Sequence, residues 1–145
     1  MTLTAADVRH GHVVGRPRPG MELRETAGPA AVGVLRGRAG GLLAGWGIDA
    51  NTTADVLLVA SELLTNALVH GRAAELVLRL HLDGGLLRIE CDDRNFDDDA
   101  CQRRPGGSVL EAGRGLHLVD ALTDRWGIVC AEVKTVYAEM RLRRG

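Results

Sequence analysis

The sequence contains few cysteines and few aromatic residues. Its 145 residues include three cysteines, two tryptophans, one tyrosine and one phenylalanine. Cys91, Cys101 and Cys130 are an odd number and contain no CxxC pair, which argues against a disulfide framework or a zinc site. We therefore expect the three cysteines to be reduced thiols in a cytoplasmic protein.

The sequence also lacks an excess of either charge. It has 18 basic and 19 acidic residues and a formal net charge of −1, without a long block of one sign. This balance argues against direct nucleic-acid binding and against a membrane-surface helix. Arginine supplies 17 of the 18 basic residues, which indicates GC-rich coding and hence a high-GC bacterium.

Long apolar runs are missing as well. The N-terminus does not have the pattern of a signal peptide, and no stretch approaches the ~20 apolar residues that span a bilayer. We expect no membrane contact. The length suits one domain, and we place it at residues 21–145, after a loose N-terminal arm at residues 1–20.

The periodic segments predict an α/β fold in the order strand, helix, helix, hairpin, long loop, helix, hairpin. Helices grouped with such strands favour a two-layer α/β sandwich, in which a mixed, mostly antiparallel sheet carries helices on one face. The predicted segments are a strand at 21–26, helices at about 29–46 and 49–71, a hairpin at 74–93, a loop at 94–112, a helix from 116 and strands at 126–130 and 134–143.

The most apolar helix contains a short polar stripe. Between Asp55 and His70 it carries one charged residue, Glu62, and Asn66 follows one turn later. Side chains four residues apart lie above one another on a helix, so these two form one patch. Such a patch is often just a solvated face, but solvated faces usually carry several charges. A carboxylate and an amide in line are also suitable groups for a magnesium site.

Two further segments carry groups that could bind a nucleotide. The strand ending in "RIECDD" presents Asp92 and Asp93, and either carboxylate could accept a hydrogen bond from the amino group of adenine. Ordinary turn chemistry explains aspartates at a strand end equally well. Gly113 and Gly115 precede a predicted helix, where backbone N–H groups can approach phosphate, although a flexible turn would look the same. The P-loop and dinucleotide-binding motifs are missing.

In this order the motifs resemble those of the GHKL ATPase superfamily. The resemblance rests on E-L-L-T-N-A-L-V-H at 62–70, an aspartate at 93, a long loop and G-R-G-L at 113–116. "GRGLHLVDALTDRWG" and "KTVYAEM" are similar to the small stand-alone anti-sigma factor kinases and the related histidine-kinase-like ATP-binding regulators of high-GC bacteria. The resemblance covers about residues 21–143 and implies the Bergerat fold.

The resemblance implies a role for each residue that matches a motif. Asn66 would hold Mg²⁺ on bound ATP, and Glu62 would act as the general base. Asp93 would bind the adenine amino group, and Thr135 would support the adenine site. The residues expected at the phosphates are Gly113, Arg114, Gly115, Leu116 and His117.

The chain departs from the superfamily pattern at the expected lid. The motif D-x-G-x-G is Asp93-Arg94-Asn95-Phe96-Asp97 here, so both glycines are replaced and the hinge of the lid is altered.

The resemblance therefore implies a serine/threonine protein kinase that transfers phosphate from ATP to an anti-sigma factor antagonist and binds a sigma factor, with a homodimer suggested. The alternative is a catalytically weak ATP-binding module that regulates a partner by binding alone, which the missing glycines favour. A two-component histidine kinase is disfavoured, because we expect no phospho-accepting helical hairpin before this domain and because such kinases commonly have Asn at the position of Glu62.

Overall fold

The helices and strands follow one another in the predicted order. The computed structural model describes residues 20–70, 74–93 and 116–142. Most of the predicted arm and the predicted loop at 94–112 lie outside these ranges. The described elements are β1 (Gly20–Thr26), α1 (Ala31–Gly45), α2 (Ala50–His70), β2 (Glu75–Asp83), β3 (Leu86–Asp93), α3 (Leu116–Leu122), β4 (Arg125–Cys130) and β5 (Lys134–Arg141).

The strands form one five-stranded sheet in the order β1-β2-β3-β5-β4. Each of the four pairings is antiparallel. The β2–β3 hairpin turns at Gly84 and Gly85, whose φ angles of 57° and 84° are the left-handed values that a two-residue hairpin turn needs. The predicted α/β fold is confirmed, and the hairpin lies where the sequence Asp83-Gly84-Gly85 places it.

One side of the sheet shares a hydrophobic core with all three described helices. Leu35 of α1, Leu64 of α2 and Val119 of α3 are fully buried in this core. Successive strand residues point to opposite sides of a sheet, so the strands contribute alternate residues. These are Leu76, Leu78 and Leu80 of β2, Leu87, Ile89 and Cys91 of β3, and Ala138 and Met140 of β5. We call this the helix-facing side.

The opposite side of the sheet is polar. We call it the outer face and define it by Glu22, Arg79, Arg88, Glu90, Asp92, Arg125, Thr135, Tyr137 and Glu139. Arg79 and Arg88 both donate to Glu90, with Nε–Oε distances of 3.0 and 2.7 Å. Arg88 also donates to Glu139 at 3.1 Å, and its guanidinium lies 4.0 Å from the centroid of the Tyr137 ring. Ion pairs thus connect neighbouring strands across this face.

Glu90 lies at the centre of these ion pairs and is 1% exposed. Burial raises the pKa of its carboxyl group, but the neighbouring His81, Arg88 and Arg79 together outweigh burial and lower it to about 2. The buried charge is tolerated because two guanidinium groups hydrogen-bond to it directly.

By residue type and position, the sequence predicts Thr52 or Thr53 as the N-cap of α2, but the helix begins earlier, at Ala50. Asp49 is the N-cap: its carboxylate accepts a hydrogen bond from the backbone N–H of Thr52 at 2.8 Å and from the Thr52 hydroxyl at 2.9 Å. These bonds lower the pKa of Asp49. The prediction of a threonine cap was wrong because Thr52 is the partner of the cap, three residues into the helix.

Helix α1 ends in a Schellman motif. Gly47, with φ 77°, takes the left-handed conformation after the C-cap Trp46. The N–H of Ile48 donates to the carbonyl of Leu43 at 3.1 Å, and the N–H of Gly47 donates to that of Ala44 at 3.0 Å. Glycine is favoured here because other residues strain at this φ.

Gly33, Gly37, Gly41 and Gly45 form a ridge along one side of α1, and this glycine ridge approaches no other backbone within the described residues. A Cβ added at Gly33, Gly37, Gly41 or Gly45 would have no atom within 4 Å, so the ridge faces open space. The contact between helices α1 and α2 is instead at Gly40, where an added Cβ would lie 3.4 Å from Leu57. The glycines lower the intrinsic helix propensity of α1, and its opposite side packs in the core through Ala31, Leu35, Ala39 and Leu43.

Two expectations from composition need correction. Residues Ala50–Val69 are long and apolar enough to cross a membrane by length and composition, contrary to the expectation that no stretch approaches this size. This is weak evidence for a membrane span, because the core helix of a soluble protein passes the same test and α2 supplies much of this core. Cys91 is buried and outside any disulfide, but Cys130 is disulfide-bonded, so the expectation of a reduced thiol was wrong there.

Replacing Gly37 with Ala should stabilise the protein. Alanine favours the helix by about 0.5–1 kcal/mol, and its methyl group meets no neighbouring atom. The matched control is Gly47→Ala, which should destabilise the protein because φ is positive there. Thermal unfolding of both variants tests this. A lower melting temperature for Gly37→Ala would show that the open ridge is needed elsewhere.

Replacing Glu90 with Gln should cost about 3–5 kcal/mol of unfolding free energy near pH 7, because it removes the buried carboxylate that pairs with the partly buried Arg79 and Arg88. A carboxyl group with a lowered folded-state pKa stabilises the protein above its unfolded pKa of about 4.5 and loses this contribution toward pH 2. The difference between wild type and Glu90→Gln should therefore shrink over that pH range. Denaturant titrations measure it, with the exposed Glu75→Gln as control. A difference independent of pH would contradict this account.

Candidate functional site

The polar stripe on α2 lies at the edge of its buried surface. Glu62 and Asn66 are both half-buried, between the buried Leu63 and Ala67 on one side and the exposed Thr65 on the other. Glu62 forms no hydrogen bond or ion pair with another residue in the described ranges. The two side chains are thus brought together as predicted, in a position where a bound molecule could reach them.

The end of α2 lies at the same end of the sheet as the end of β3. Four residues separate His70, the last of α2, from Glu75, the first of β2. In the antiparallel sheet the start of β2 lies beside the end of β3, since Leu78 pairs with Cys91. Asn66 lies four residues, or ~6 Å of helix, before the end of α2. Asn66 and the end of β3 therefore belong to one region of the molecule.

The two candidate aspartates occupy successive positions of β3 and therefore opposite sides of the strand. Asp92 belongs to the outer face: its carboxylate pairs with both terminal nitrogens of the Arg79 guanidinium, one of them at 3.0 Å. Burial lowers the pKa of Arg79, but Asp92 and Glu90 outweigh burial and raise it above its ordinary value. Asp92 is thus already neutralised by a partner of opposite charge.

Asp93 has the strand parity of Ile89 and Cys91, both of which lie in the core on the helix-facing side. Its side chain lies outside the described part of the structure. Because alternate residues of a strand lie on the same side of the sheet, the position of Asp93 is on the side against which α2 packs. The preference for Asp93 over Asp92 at the nucleotide remains a prediction.

Thr135 is brought together with Asp92 and not with the α2 stripe. Its hydroxyl donates to Oδ1 of Asp92 at 3.1 Å, and the two residues are cross-strand partners. This position on the outer face does not favour contact with a nucleotide held on the helix-facing side.

The residue of β5 opposite Asp93 is Lys134, which is buried. The sequence assigns Lys134 no site role, and its place beside the end of β3 follows only from the strand register.

The expected phosphate-binding residues lie mostly beyond the described ranges. Gly113, Arg114 and Gly115 are outside them, as is the side chain of Leu116. The predicted helix after these glycines is present, since α3 begins at Leu116. His117 is exposed in the first turn of α3. α3 packs against α2 and β4, so its start lies in the same layer as the polar stripe.

The described residues include no group of three or more His, Cys, Asp or Glu side chains that could hold a metal ion. Asn66 offers one amide oxygen at the edge of the core. A protein site with a single oxygen ligand suits Mg²⁺ that is held mainly by phosphate oxygens and water.

One protein family and a group of solved structures match this chain. The model of the family described as "Histidine kinase-like ATPase domain" matches residues 26–139. That range contains the polar stripe, both aspartates, the glycine-rich segment and Thr135. No curated protein matches the sequence significantly.

Among the solved structures, the chain is similar to the RsbU and RsbW domains of Rv1364c from Mycobacterium tuberculosis. The TM-score is 0.66 at 27% sequence identity, and the match covers 89% of this chain. The match spans 34% of the solved chain, so this chain corresponds to about a third of that protein. The resemblance of the sequence motifs to histidine-kinase-like ATP-binding proteins is confirmed by the family model, and the fold by this solved structure.

Proposed function

Because the chain belongs to the histidine kinase-like ATPase family, we propose that it binds ATP with Mg²⁺ and regulates a sigma factor by phosphorylating an antagonist protein. The observation that carries the proposal is the position of the Glu62–Asn66 stripe. It lies on the helix that packs over β2 and β3, at the edge of the core and toward the end of the sheet where β3 finishes.

The adenine would lie at the end of β3, on the helix-facing side. Asp93 would accept a hydrogen bond from the adenine amino group there, while Asp92 stays paired with Arg79 on the outer face. The triphosphate would extend toward the start of α3, where Gly113, Arg114, Gly115 and Leu116 supply backbone N–H groups. His117 is exposed close to this start and would lie near the phosphates.

Asn66 would bind the Mg²⁺ that accompanies the triphosphate, which neutralises phosphate charge when it is bound. Glu62 lies one turn earlier on the same stripe and has no protein partner in the described residues. Its carboxylate would accept the proton of the attacking hydroxyl group as the general base. Phosphoryl transfer depends mainly on positioning and charge neutralisation, which these groups would supply.

The likeness to a solved structure that contains an RsbW domain supports the proposed partners. We propose an anti-sigma factor antagonist, a sigma factor or both as partners, a cytoplasmic location and a homodimer, without direct contact to nucleic acid or membrane. Residues 21–145 would form the nucleotide-binding domain, and residues 1–20 an N-terminal arm.

A second function is an ATP-binding module that regulates its partner by binding alone. The observation that favours it is in the sequence, where both glycines of the lid motif are replaced by Asn95 and Asp97. An altered hinge would slow lid closure and hence catalysis, while leaving Asn66 and Asp93 in place for nucleotide binding.

Replacing Glu62 with Ala should separate these two functions. A general base contributes about 10²–10⁴-fold to rate and need not contribute to ground-state affinity. The variant should therefore bind ATP as tightly as wild type and lose phosphoryl transfer. The measurement is ATP affinity by calorimetry together with transfer of labelled phosphate to candidate antagonist proteins from the source genome.

The matched control is Asp55→Asn, which removes an exposed charge from the same helix and should change neither quantity. If wild type binds ATP and an antagonist but transfers phosphate no faster than Glu62→Ala, the kinase function fails and the binding module replaces it.

A further inference from the structure

Strand β1 has an edge that no described strand covers. It is the first strand in the sheet order β1-β2-β3-β5-β4, so it pairs with β2 on one edge only. Most of its residues are exposed, and Leu23 is the one that is buried. An edge strand presents a row of backbone N–H and C=O groups to which another strand can pair.

The backbone hydrogen bonds of β1 show which residues face this edge. In an antiparallel pair each residue directs its N–H and its C=O to the same side, and the side alternates along the strand. The N–H of Ala27 donates to the carbonyl of Ala74 at 2.9 Å, so the odd-numbered residues of β1 face β2. The carbonyl of Arg24 instead accepts from Arg38 of α1, at 3.2 Å. The residues that face the uncovered side, which we call the open edge, are Gly20, Glu22, Arg24 and Thr26.

Two of the three exposed large hydrophobic side chains in the described residues flank the open edge. Met21 of β1 is 41% exposed and Val34 of α1 is 42% exposed. Val34 precedes Arg38 by one helical turn and so lies on the side of α1 that reaches β1. Unpaired backbone groups and exposed apolar side chains thus occur together here, as expected of a surface that a partner covers.

The charges of β1 favour a second copy of the same strand as that partner. Two copies related by a twofold axis perpendicular to the sheet would pair antiparallel, with residues of the same side facing each other. With the axis at Leu23, Glu22 of each copy faces Arg24 of the other. Moving the axis by one residue in either direction would place Glu22 opposite Glu22, or Arg24 opposite Arg24. Of these three registers, only the one centred on Leu23 pairs opposite charges.

We propose that the open edge of β1 is the interface of a homodimer, in which two copies of β1 pair antiparallel about Leu23 and join the two five-stranded sheets. This inference rests on the homodimer of the proposed function and names its surface. The pairs of Glu22 with Arg24 also exchange backbone hydrogen bonds, because both residues face the open edge. The Arg24 carbonyl can accept one bond from Arg38 and a second from the other copy, since a carbonyl oxygen has two lone pairs.

The ion pair that Glu22 and Arg24 form within one chain does not oppose this exchange. Nε of Arg24 lies 3.2 Å from Oε2 of Glu22, and the two side chains are 47% and 43% exposed. Exposed ion pairs contribute little to stability. The same two side chains can therefore pair between the copies at little cost.

A charge-reversal cycle on the full chain tests the interface, with sedimentation velocity as the measurement. Wild type should be a dimer. Glu22→Arg should weaken the dimer by about tenfold or more, because it places arginine opposite Arg24 of the other copy at two symmetric positions. The double variant Glu22→Arg/Arg24→Glu should restore dimerisation, because opposite charges face each other again. An unchanged dimer in Glu22→Arg, or a double variant as weak as the single one, would overturn the proposal.

Glu132→Arg is the matched control, because it makes the same charge change at an exposed residue between β4 and β5 and should retain the wild-type dimer. Thermal unfolding shows whether each variant is folded. A dimer that persists in Glu22→Arg would mean that the copies associate through another surface. A monomeric wild type would overturn both this interface and the proposed homodimer, while ATP affinity of the same samples tests the nucleotide-binding function separately.

Hydrogen exchange of the wild-type protein distinguishes a second copy from other occupants of the open edge. The amide groups of Glu22 and Arg24 should be protected at concentrations where the dimer forms and should exchange rapidly on dilution, as read by mass spectrometry with residue-level fragmentation. Protection at both concentrations would mean that another segment of the same chain covers the edge. That result, or rapid exchange at both concentrations, would overturn the proposal.

Discussion

The alternation of β3 between two sides of the sheet is the constraint on which the rest of the structure depends. Ile89 and Cys91 enter the core under the helices, while Glu90 and Asp92 enter the ion pairs of the outer face. A shift of the register by one residue would put buried carboxylates into the core and apolar side chains into the ion pairs. Both sides therefore fix the same register, and with it the side on which Asp93 ends the strand.

Helix α2 connects this sheet to the proposed chemistry. Its apolar side supplies Val56, Val59 and Leu64 to the core, which anchors the helix over β2 and β3. Glu62 and Asn66 lie at the edge of that anchored surface. A polar pair held by a rigid apolar helix would be pre-positioned for the proposed nucleotide, so little ordering would be needed on binding. The same apolar content makes α2 resemble a membrane span by composition.

Local patterns in the sequence were enough to predict the order of the elements, the Gly84–Gly85 turn and the Glu62–Asn66 stripe. Their signals lie within a few residues, as helix periodicity and turn chemistry do. The positions of Thr135 and Lys134 could not be predicted in this way. Which side of β5 each residue faces depends on its pairing with β3, about 40 residues earlier in the chain, and strand parity reverses with a shift of one residue. The N-cap Asp49 could not be identified from residue type alone, because Thr52 and Thr53 are also favourable N-cap residues.

The most direct measurement compares Asp93→Asn with Asp92→Asn, since the two carboxylates are neighbours in sequence and lie on opposite sides of one strand. ATP and GTP affinities are measured by calorimetry, and thermal unfolding confirms that each variant is folded. Our account predicts that Asp93→Asn weakens ATP binding by about tenfold or more and reduces discrimination against GTP. Asp92→Asn should lower thermal stability, because it weakens the pair with Arg79, and should leave ATP affinity nearly unchanged. Equal losses of ATP affinity in the two variants, or a larger loss in Asp92→Asn, would contradict the placement of the nucleotide on the helix-facing side.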